Sequence, residues 1–199
     1  MRRFFEFARK WVDVDGKRVL LQDENGNYAV QYENAKLPEY STKSSAGADF
    51  FCAEEVTIPS LLESSLTMAS IGEGNSVNNA YRGDLLGMNS KLFKPTMVHT
   101  GIKAKMKDGE VLYLFNRSSN PGKLGLVLAN GVGVIDADYY GNTGNDGEIM
   151  FAFYNFGPLP ITLHVGDKIG QGVFQKFLKA ENATVLDKER AGGFGSTDK

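Results

Sequence analysis

The sequence has very little of what metal and disulfide chemistry requires. Its 199 residues include one cysteine, Cys52, and two histidines, His99 and His164. A single cysteine cannot form an intrachain disulfide, and two histidines beside it do not supply the ligands of an ordinary zinc site. These shortages exclude zinc hydrolases and zinc deaminases.

An excess of charge and long apolar runs are also lacking. The chain carries 22 basic and 24 acidic residues, a formal net charge of −2, so it has no bulk attraction for a nucleic-acid backbone or an anionic membrane. Glu6, Arg9 and Lys10 interrupt the N-terminal stretch MRRFFEFARKW, which fits neither a signal peptide nor a membrane span. We therefore predict a cytoplasmic protein with no nucleic-acid or membrane partner.

The chain is rich instead in short strand patterns separated by glycine turns. The dipeptides DG at 15–16 and NG at 25–26 predict an extra hairpin over about residues 13–32, and DG at 108–109 predicts a further hairpin. Apolar residues in GEIMFAFYNF predict a strand buried on one or both faces. With 23 glycines, this pattern favours an all-β sandwich, barrel or jelly roll.

One short helix is expected, in the stretch SLLESSLTMAS. Ser60 and Glu63 have the spacing of a capping box before an apolar stretch. The helix begins an insertion of about residues 60–93, which continues as a long polar stretch. Two interpretations stay open for the insertion, a decorative surface loop and a protein-binding element, the second because of its aromatic and apolar side chains.

Four segments carry a dense set of polar and glycine residues. They are SAGADF at 45–50, NRSS at 116–119, NGVGVIDADYYG at 130–141 and the C-terminal ERAGGFGSTDK. In this order they resemble the motifs of the trimeric dUTP pyrophosphatase (dUTPase) family, and GDKIGQGVF resembles its fourth motif. The resemblance covers roughly residues 36–59 and 94–199.

The resemblance implies a jelly-roll subunit of a homotrimer with active sites at the subunit junctions. It also implies hydrolysis of dUTP to dUMP and pyrophosphate, with Mg²⁺ on the triphosphate. Such an activity limits uracil incorporation into DNA and supplies dUMP for dTTP synthesis.

Three residues would be catalytic, and a fourth would hold the metal ion. Asp136 lies among apolar neighbours in the sequence, where an ionised carboxylate requires a hydrogen-bond partner or has a functional role. By resemblance it is the general base that orients and deprotonates the attacking water. The resemblance also implies that Arg117 and Ser118 contact the α- and β-phosphates, and that Asp49 holds Mg²⁺ through the waters of the ion.

The resemblance assigns substrate recognition to a tyrosine, a turn and one glutamine. The Tyr139 ring would lie against the deoxyribose and leave no room for a 2′-hydroxyl. The residues that would read uracil or add a phosphate contact are Asn130, Gly131, Gly133, Val134 and Gln171.

The last residues, 189–199, would form a flexible lid arm on a domain of residues 1–188. The tail is too rich in glycine to order itself, so the bound nucleotide would order it. The resemblance implies that Phe194 stacks on the base. The residues that would hold the γ-phosphate are Arg190, Gly193, Gly195, Ser196 and Thr197.

Two alternative functions stay open. RSSNPGKLGL and FAFYNFGPLPITL resemble segments of dCTP deaminase, which has the same fold, but its general-base glutamate corresponds to Ala152 here, and alanine cannot transfer a proton. The second alternative is a non-catalytic, nucleotide-sensing regulatory protein. The presence of Asp49, Ser118 and Asp136 together favours an enzyme.

Overall fold

The computed structural model describes residues 3–15, 17–62 and 94–184. These residues contain short strands joined by turns, together with a π-helical turn, Asn120–Leu124, and a 3-10 turn, Ala137–Tyr139. The strands are β1 (Phe4–Phe7), β2 (Trp11–Val14), β3 (Lys17–Leu20), β4 (Glu39–Tyr40), β5 (Ala48–Phe51), β6 (Val56–Ile58), β7 (Thr96–His99), β8 (Ile102–Lys105), β9 (Glu110–Asn116), β10 (Leu126–Leu128), β11 (Gly133–Asp136), β12 (Met150–Asn155), β13 (Ile161–Leu163) and β14 (Lys168–Lys176).

Two sheets form the main body of the described chain. A five-stranded sheet has the order β11-β9-β14-β5-β4, and a three-stranded sheet has the order β10-β12-β7. Smaller pairs join β1 to β8, β6 to β13 and β2 to β3. All these pairs are antiparallel. The prediction of an all-β fold is confirmed.

The core contains side chains of both main sheets. Phe50 of the five-stranded sheet and Phe151 of the three-stranded sheet are fully buried, with ring centroids 5.6 Å apart. A Cβ on Gly170 would lie 2.1 Å from the Phe151 ring, and one on Gly172 would lie 2.7 Å from the Phe50 ring. The two β14 glycines therefore let the aromatic rings pack closely against the strand. The stretch GEIMFAFYNF forms the predicted buried strand, β12.

The N-terminal segment joins this body through β1. Phe5 packs edge-on against Phe50 at 5.4 Å, and the Ala8 amide donates to the Gly101 carbonyl at 2.7 Å. The chain then forms the β2–β3 hairpin, where Asp15 has a left-handed φ of 52°. The chain reversal expected between these strands is thus confirmed by their pairing, and a turn follows at Gly26, whose φ is 81°.

The prediction of a hairpin around DG at 108–109 is wrong. Gly109 does form a turn, with φ of 77°, and the Glu110 amide donates to the Lys107 carbonyl. However, β8 pairs with β1, while β9 lies between β11 and β14. A glycine turn reverses the chain locally, but strand pairing is set by the tertiary neighbours that bury each face.

The predicted helix and insertion are described only at their start. Residues 61 and 62 are helical, and Ser60 Oγ donates to the Gly157 carbonyl at 2.6 Å. The remainder of the insertion, with the proposed protein-binding role, lies outside the described residues. None of the helices in the described part of the chain has both the length and the apolar character needed to cross a membrane.

Candidate active site

Four of the predicted site residues meet at one end of the five-stranded sheet. Asp49 on β5 lies opposite Gln171 on β14. Arg117 and Ser118 follow the last residue of β9, and Arg117 Nη1 donates to the Lys168 carbonyl at 3.0 Å. We call these four residues together with Lys168 the Asp49 cluster.

Asp49 is an ionised carboxylate held by two donors. Lys168 Nζ donates to its Oδ2 at 2.6 Å, and Ser41 Oγ donates to the same oxygen at 2.7 Å. Burial opposes the charge, but the hydrogen bonds from Lys168 and Ser41, with the nearby positive charges, hold the pKa of Asp49 below its usual value. Sequence reasoning missed Lys168, although it lies within GDKIGQGVF, the segment that resembles the fourth motif.

Two asparagines anchor the loop that contains Arg117 and Ser118. Asn116 Nδ2 donates to the Leu126 carbonyl at 2.8 Å. Asn120 is 2% exposed, and its Nδ2 donates to Asn116 Oδ1 at 2.8 Å and to the Ile169 carbonyl at 2.9 Å. These bonds tie the loop to both β10 and β14. Sequence reasoning did not select these asparagines, and their four-residue spacing around RSS is the signal that could have found them.

The second group of predicted residues surrounds β11. We call the six residues listed at the end of this paragraph the Asp136 group. Gly131 has a left-handed φ of 67° in the turn before β11, and its amide donates to the Leu128 carbonyl at 3.1 Å. A Cβ on Gly133 would lie 2.9 Å from Leu114 Cβ, so only glycine fits this strand position. The members are Asn130, Gly131, Gly133, Val134, Asp136 and Tyr139.

Asp136 and Tyr139 lie at the end of β11 in different environments. Asp136 is partly exposed and precedes the 3-10 turn. The Tyr139 side chain is 5% exposed, and its hydroxyl donates to the Glu148 carbonyl at 2.9 Å and accepts from Asn145 Nδ2 at 2.8 Å. Sequence reasoning missed Asn145 and Glu148, which lie six and nine residues after the tyrosine that they fix.

Strand register separates the two groups within one chain. Asp136 lies opposite Val111 on β9, whereas Asp49 lies opposite Gln171, which lies opposite Phe115 on β9. Val111 and Phe115 are four residues apart, about 14 Å along a strand, and three strand spacings between β11 and β5 add about 14 Å across the sheet. The two carboxylates are therefore roughly 20 Å apart in one chain.

The two carboxylates nevertheless lie on one face of the sheet. Residues paired across antiparallel strands project from the same face, and alternate residues along a strand do so too. Asp136, Gln171 and Asp49 therefore lie on one face, opposite to that of Leu112 and Leu114 in the core. An assembly that covers this face could bring the Asp49 cluster of one chain to the Asp136 group of another.

The remaining parts of the predicted site are the C-terminal arm and a metal-ligand group. The six arm residues predicted to bind substrate lie outside the described residues: Arg190, Gly193, Phe194, Gly195, Ser196 and Thr197. Between residues 3 and 184, wherever the chain is described, no three His, Cys, Asp or Glu side chains form a group that could hold a metal ion.

Comparison with known proteins decides the family. A sequence model of the dUTPase family matches residues 86–198, more than half of the chain. This chain belongs to the dUTPase family. The matched range includes the Asp136 group and all of the Asp49 cluster except Asp49 itself.

Individual members of the dUTPase family match over most of the chain. The deoxyuridine 5'-triphosphate nucleotidohydrolase of Lactococcus lactis is 38% identical over 171 residues, which cover 84% of this chain and 93% of the relative. That of Desulfitobacterium hafniense is 34% identical over 174 residues, covering 85% and 92%. The crystal structure of dUTPase from Streptococcus mutans, 32% identical, matches with a TM-score of 0.59 over 90% of this chain and 99% of that one. The expected jelly-roll-like dUTPase fold is confirmed.

Proposed function

We propose that this dUTPase hydrolyses dUTP to dUMP and pyrophosphate at active sites shared between the subunits of a homotrimer. The observation that supports sharing is the separation of roughly 20 Å between Asp49 and Asp136 within one chain. A nucleotide could not touch both carboxylates at a single α-phosphate from one subunit. Two copies related by rotation can bring them to one substrate.

Asp136 acts as the general base of the reaction. Its position at the end of β11 leaves the side chain partly exposed, so that a water can reach it. The carboxylate accepts a proton from this water and orients it for attack on the α-phosphorus, in line with the leaving pyrophosphate. The P–O bond to the β-phosphate breaks as the new bond to the water oxygen forms.

Arg117 and Ser118 bind the α- and β-phosphates from the neighbouring subunit. The guanidinium is directed by its bond to the Lys168 carbonyl, and Ser118 lies exposed beside it. Together they stabilise the negative charge that develops on pyrophosphate as it leaves. Gln171, paired with Asp49 across the sheet, adds a phosphate contact.

The Asp49 carboxylate fits a magnesium ion that keeps its waters. Its lowered pKa keeps it ionised at neutral pH, and a single hard oxygen ligand suffices for an ion held mainly by water and triphosphate. Mg²⁺ when bound supplies charge neutralisation on the triphosphate. Lys168 balances the carboxylate charge at 2.6 Å.

The Asp136 group selects the nucleoside. The exposed turn at Asn130 and Gly131 presents backbone and amide groups to the uracil edge. Tyr139 lies against the deoxyribose and excludes a 2′-hydroxyl. Its hydroxyl is bonded to Asn145 and to the Glu148 carbonyl, and these two bonds fix the position of the ring. Residues 189–199 close over the bound nucleotide, Phe194 stacking on the base.

Family membership and one buried strand favour this reaction over the alternatives. Ala152, at the position of the deaminase glutamate, is 4% exposed within β12 and cannot carry a proton. The regulatory alternative would not require Asp49, Ser118 and Asp136 together. We place the activity in the cytoplasm, where it limits uracil in DNA and supplies dUMP for dTTP synthesis.

Mixing two inactive variants tests the shared site. Asp136→Asn and Arg117→Gln each remove a different half of the site, and each homotrimer should lack activity. In trimers assembled from equal amounts of both, an intact Asp136 meets an intact Arg117 at about a quarter of the junctions. Pyrophosphate release from dUTP should therefore recover to about a quarter of the wild-type rate.

The control is each variant unfolded and reassembled alone, which should stay inactive. Absence of recovery in mixed trimers of confirmed mass would contradict a shared site. Wild-type release of pyrophosphate is compared among dUTP, dCTP, dTTP and UTP with Mg²⁺. Failure to prefer dUTP would contradict the function itself.

A further inference from the structure

A buried carboxylate outside the predicted site holds the loop that follows Tyr139. Asp146 is fully buried and has a left-handed φ of 59°. It accepts from the Arg9 backbone amide at 2.8 Å, from Arg9 Nε at 2.9 Å and from Lys103 Nζ at 2.8 Å, and it is also bonded to Arg9 Nη2. Aspartate tolerates this backbone conformation better than most residues, and these donors satisfy its charge.

The cations around Asp146 are themselves fixed. The Arg9 guanidinium lies 4.8 Å from the centre of the Tyr28 ring, and Lys103 Nζ lies 4.8 Å from that of Tyr140. Lys103 is 3% exposed and also lies 3.7 Å from a Glu6 carboxylate oxygen. The donors therefore belong to a packed network between the N-terminal segment and β8 rather than to mobile surface side chains.

This network connects to Tyr139 through two neighbours of Asp146 in the chain. Asn145 donates to the Tyr139 hydroxyl, and this hydroxyl donates to the Glu148 carbonyl. The Glu148 carboxylate accepts from the Gly101 amide at 3.0 Å. The loop that fixes the tyrosine hydroxyl is thus anchored on one side by Asp146 and on the other by Glu148.

We propose that Arg9, acting through Asp146, is a positioning residue for the sugar subsite, and that the N-terminal segment thereby sets discrimination between dUTP and UTP. This inference rests on the proposed role of Tyr139. It gives the segment before β2 a function in specificity, although that segment contributes none of the residues assigned to substrate.

The physical reason is the cost of removing one of the two cations that hold Asp146, since Lys103 alone would then face the buried carboxylate. A fully buried carboxylate that loses one of its charged hydrogen-bond partners must shift toward its remaining cation, here Lys103, or toward water. Either response shifts Asn145, the adjacent residue, and releases the Tyr139 hydroxyl from one of its two bonds. A ring displaced by as little as about 1 Å no longer closes the space beside C2′, so the ribonucleotide is rejected less strongly.

The test measures kcat/KM for dUTP and UTP in Arg9→Gln and Asp146→Asn. Asparagine is chosen at 146 because it accepts a left-handed backbone while removing the charge. We expect the dUTP:UTP ratio of kcat/KM to fall at least about tenfold in both variants. Arg9→Lys, which keeps a charge near Asp146 without the guanidinium hydrogen bonds, should give an intermediate ratio.

The matched control is Arg3→Gln. Arg3 belongs to the same N-terminal segment and also pairs with a buried carboxylate, Glu110, with Nε to Oε2 at 2.8 Å, but it makes no bond to the loop around Asp146. Its dUTP:UTP ratio should equal that of the wild type even if its stability falls.

Two results would overturn the inference: a wild-type ratio in Arg9→Gln and Asp146→Asn, or an equal drop in Arg3→Gln. Mass measurement of each trimer separates misfolding from altered specificity. If Arg9→Gln does not assemble, the dUTP:UTP ratio of kcat/KM in Arg9→Lys is the test, and a wild-type ratio in that variant overturns the inference. A wild-type protein that does not distinguish dUTP from UTP would instead contradict the proposed function.

Discussion

The Asp49 cluster and the Asp136 group differ in how the fold fixes them. Asp49 and Gln171 lie on paired strands, and Lys168 of β14 bonds to Asp49 directly. Asp136 and Tyr139 lie at a strand end, and a loop bonded to the N-terminal segment fixes the tyrosine. The half proposed to bind phosphate thus depends on the sheet, whereas the half proposed to bind the sugar depends on the loop and the N-terminal segment around it.

Asp136→Asn should give the largest effect and separates chemistry from binding. Loss of the general base should lower kcat by about 10²- to 10⁴-fold, while affinity for a nonhydrolysable dUTP analogue, measured by calorimetry, stays unchanged. Asp49→Asn serves as the contrasting variant, because its activity should recover partly as Mg²⁺ is raised. Wild-type turnover by Asp136→Asn would show that Asp136 is not the general base.

Truncation after Lys188 tests whether the Asp49 cluster and the Asp136 group support full activity without the C-terminal arm. Loss of base stacking, worth about 1–3 kcal/mol, should lower kcat/KM for dUTP by about 5- to 150-fold. The melting temperature should stay at the wild-type value, which serves as the control for folding. Unchanged activity would remove the arm from the site.

Asn120→Ala tests the anchoring of the phosphate loop by the sheet. It removes both bonds of a buried amide, so the free energy of unfolding in urea should fall by about 1–3 kcal/mol at fixed protein concentration. Asn34→Ala, at an exposed position, is the control and should change it by less than about 0.5 kcal/mol. Equal effects in both variants would mean that the Asn116–Asn120 bonds do not hold the loop.

Titration of His99, which is bonded to Glu148 in the loop that fixes Tyr139, should give the smallest effect on stability. Its hydrogen bond to Glu148 raises the pKa of His99 above the ordinary value of 6.5, although burial opposes this. A raised pKa stabilises the fold fully below pH 6.5, and this stabilisation disappears as the pH rises through the folded-state pKa. Urea unfolding at a series of pH values should therefore show a loss of about 1 kcal/mol or less above pH 6.5.

His99→Gln supplies the comparison for that pH series. The variant should lose this part of the pH dependence and should match the wild type only at pH values above the folded-state pKa of His99. A wild-type curve that is flat between pH 6 and 8, or a variant curve of the same slope, would mean that the His99–Glu148 pair does not contribute.

Sequence patterns with a local cause were predicted well. The pairing of β2 with β3 and the buried strand β12 depend on residues that are near one another in the chain, and both are present. The turn at 108–109 is present too, but its hairpin is not, because β8 and β9 find partners far away in sequence. Lys168 and Asp146 escaped notice for the same reason, since their partners lie 43 to 137 residues away in sequence.

The sequence by itself determined the family and the all-β class, and it supplied the residues proposed for the chemistry, because motifs and strand periodicity are local properties of the chain. Only the tertiary structure decided that Asp49 and Asp136 lie far apart on one face of a sheet, and that Arg9 reaches the loop behind Tyr139. Strand register and the pairing of buried charges bring together residues that are distant in the chain. No local pattern encodes these distances.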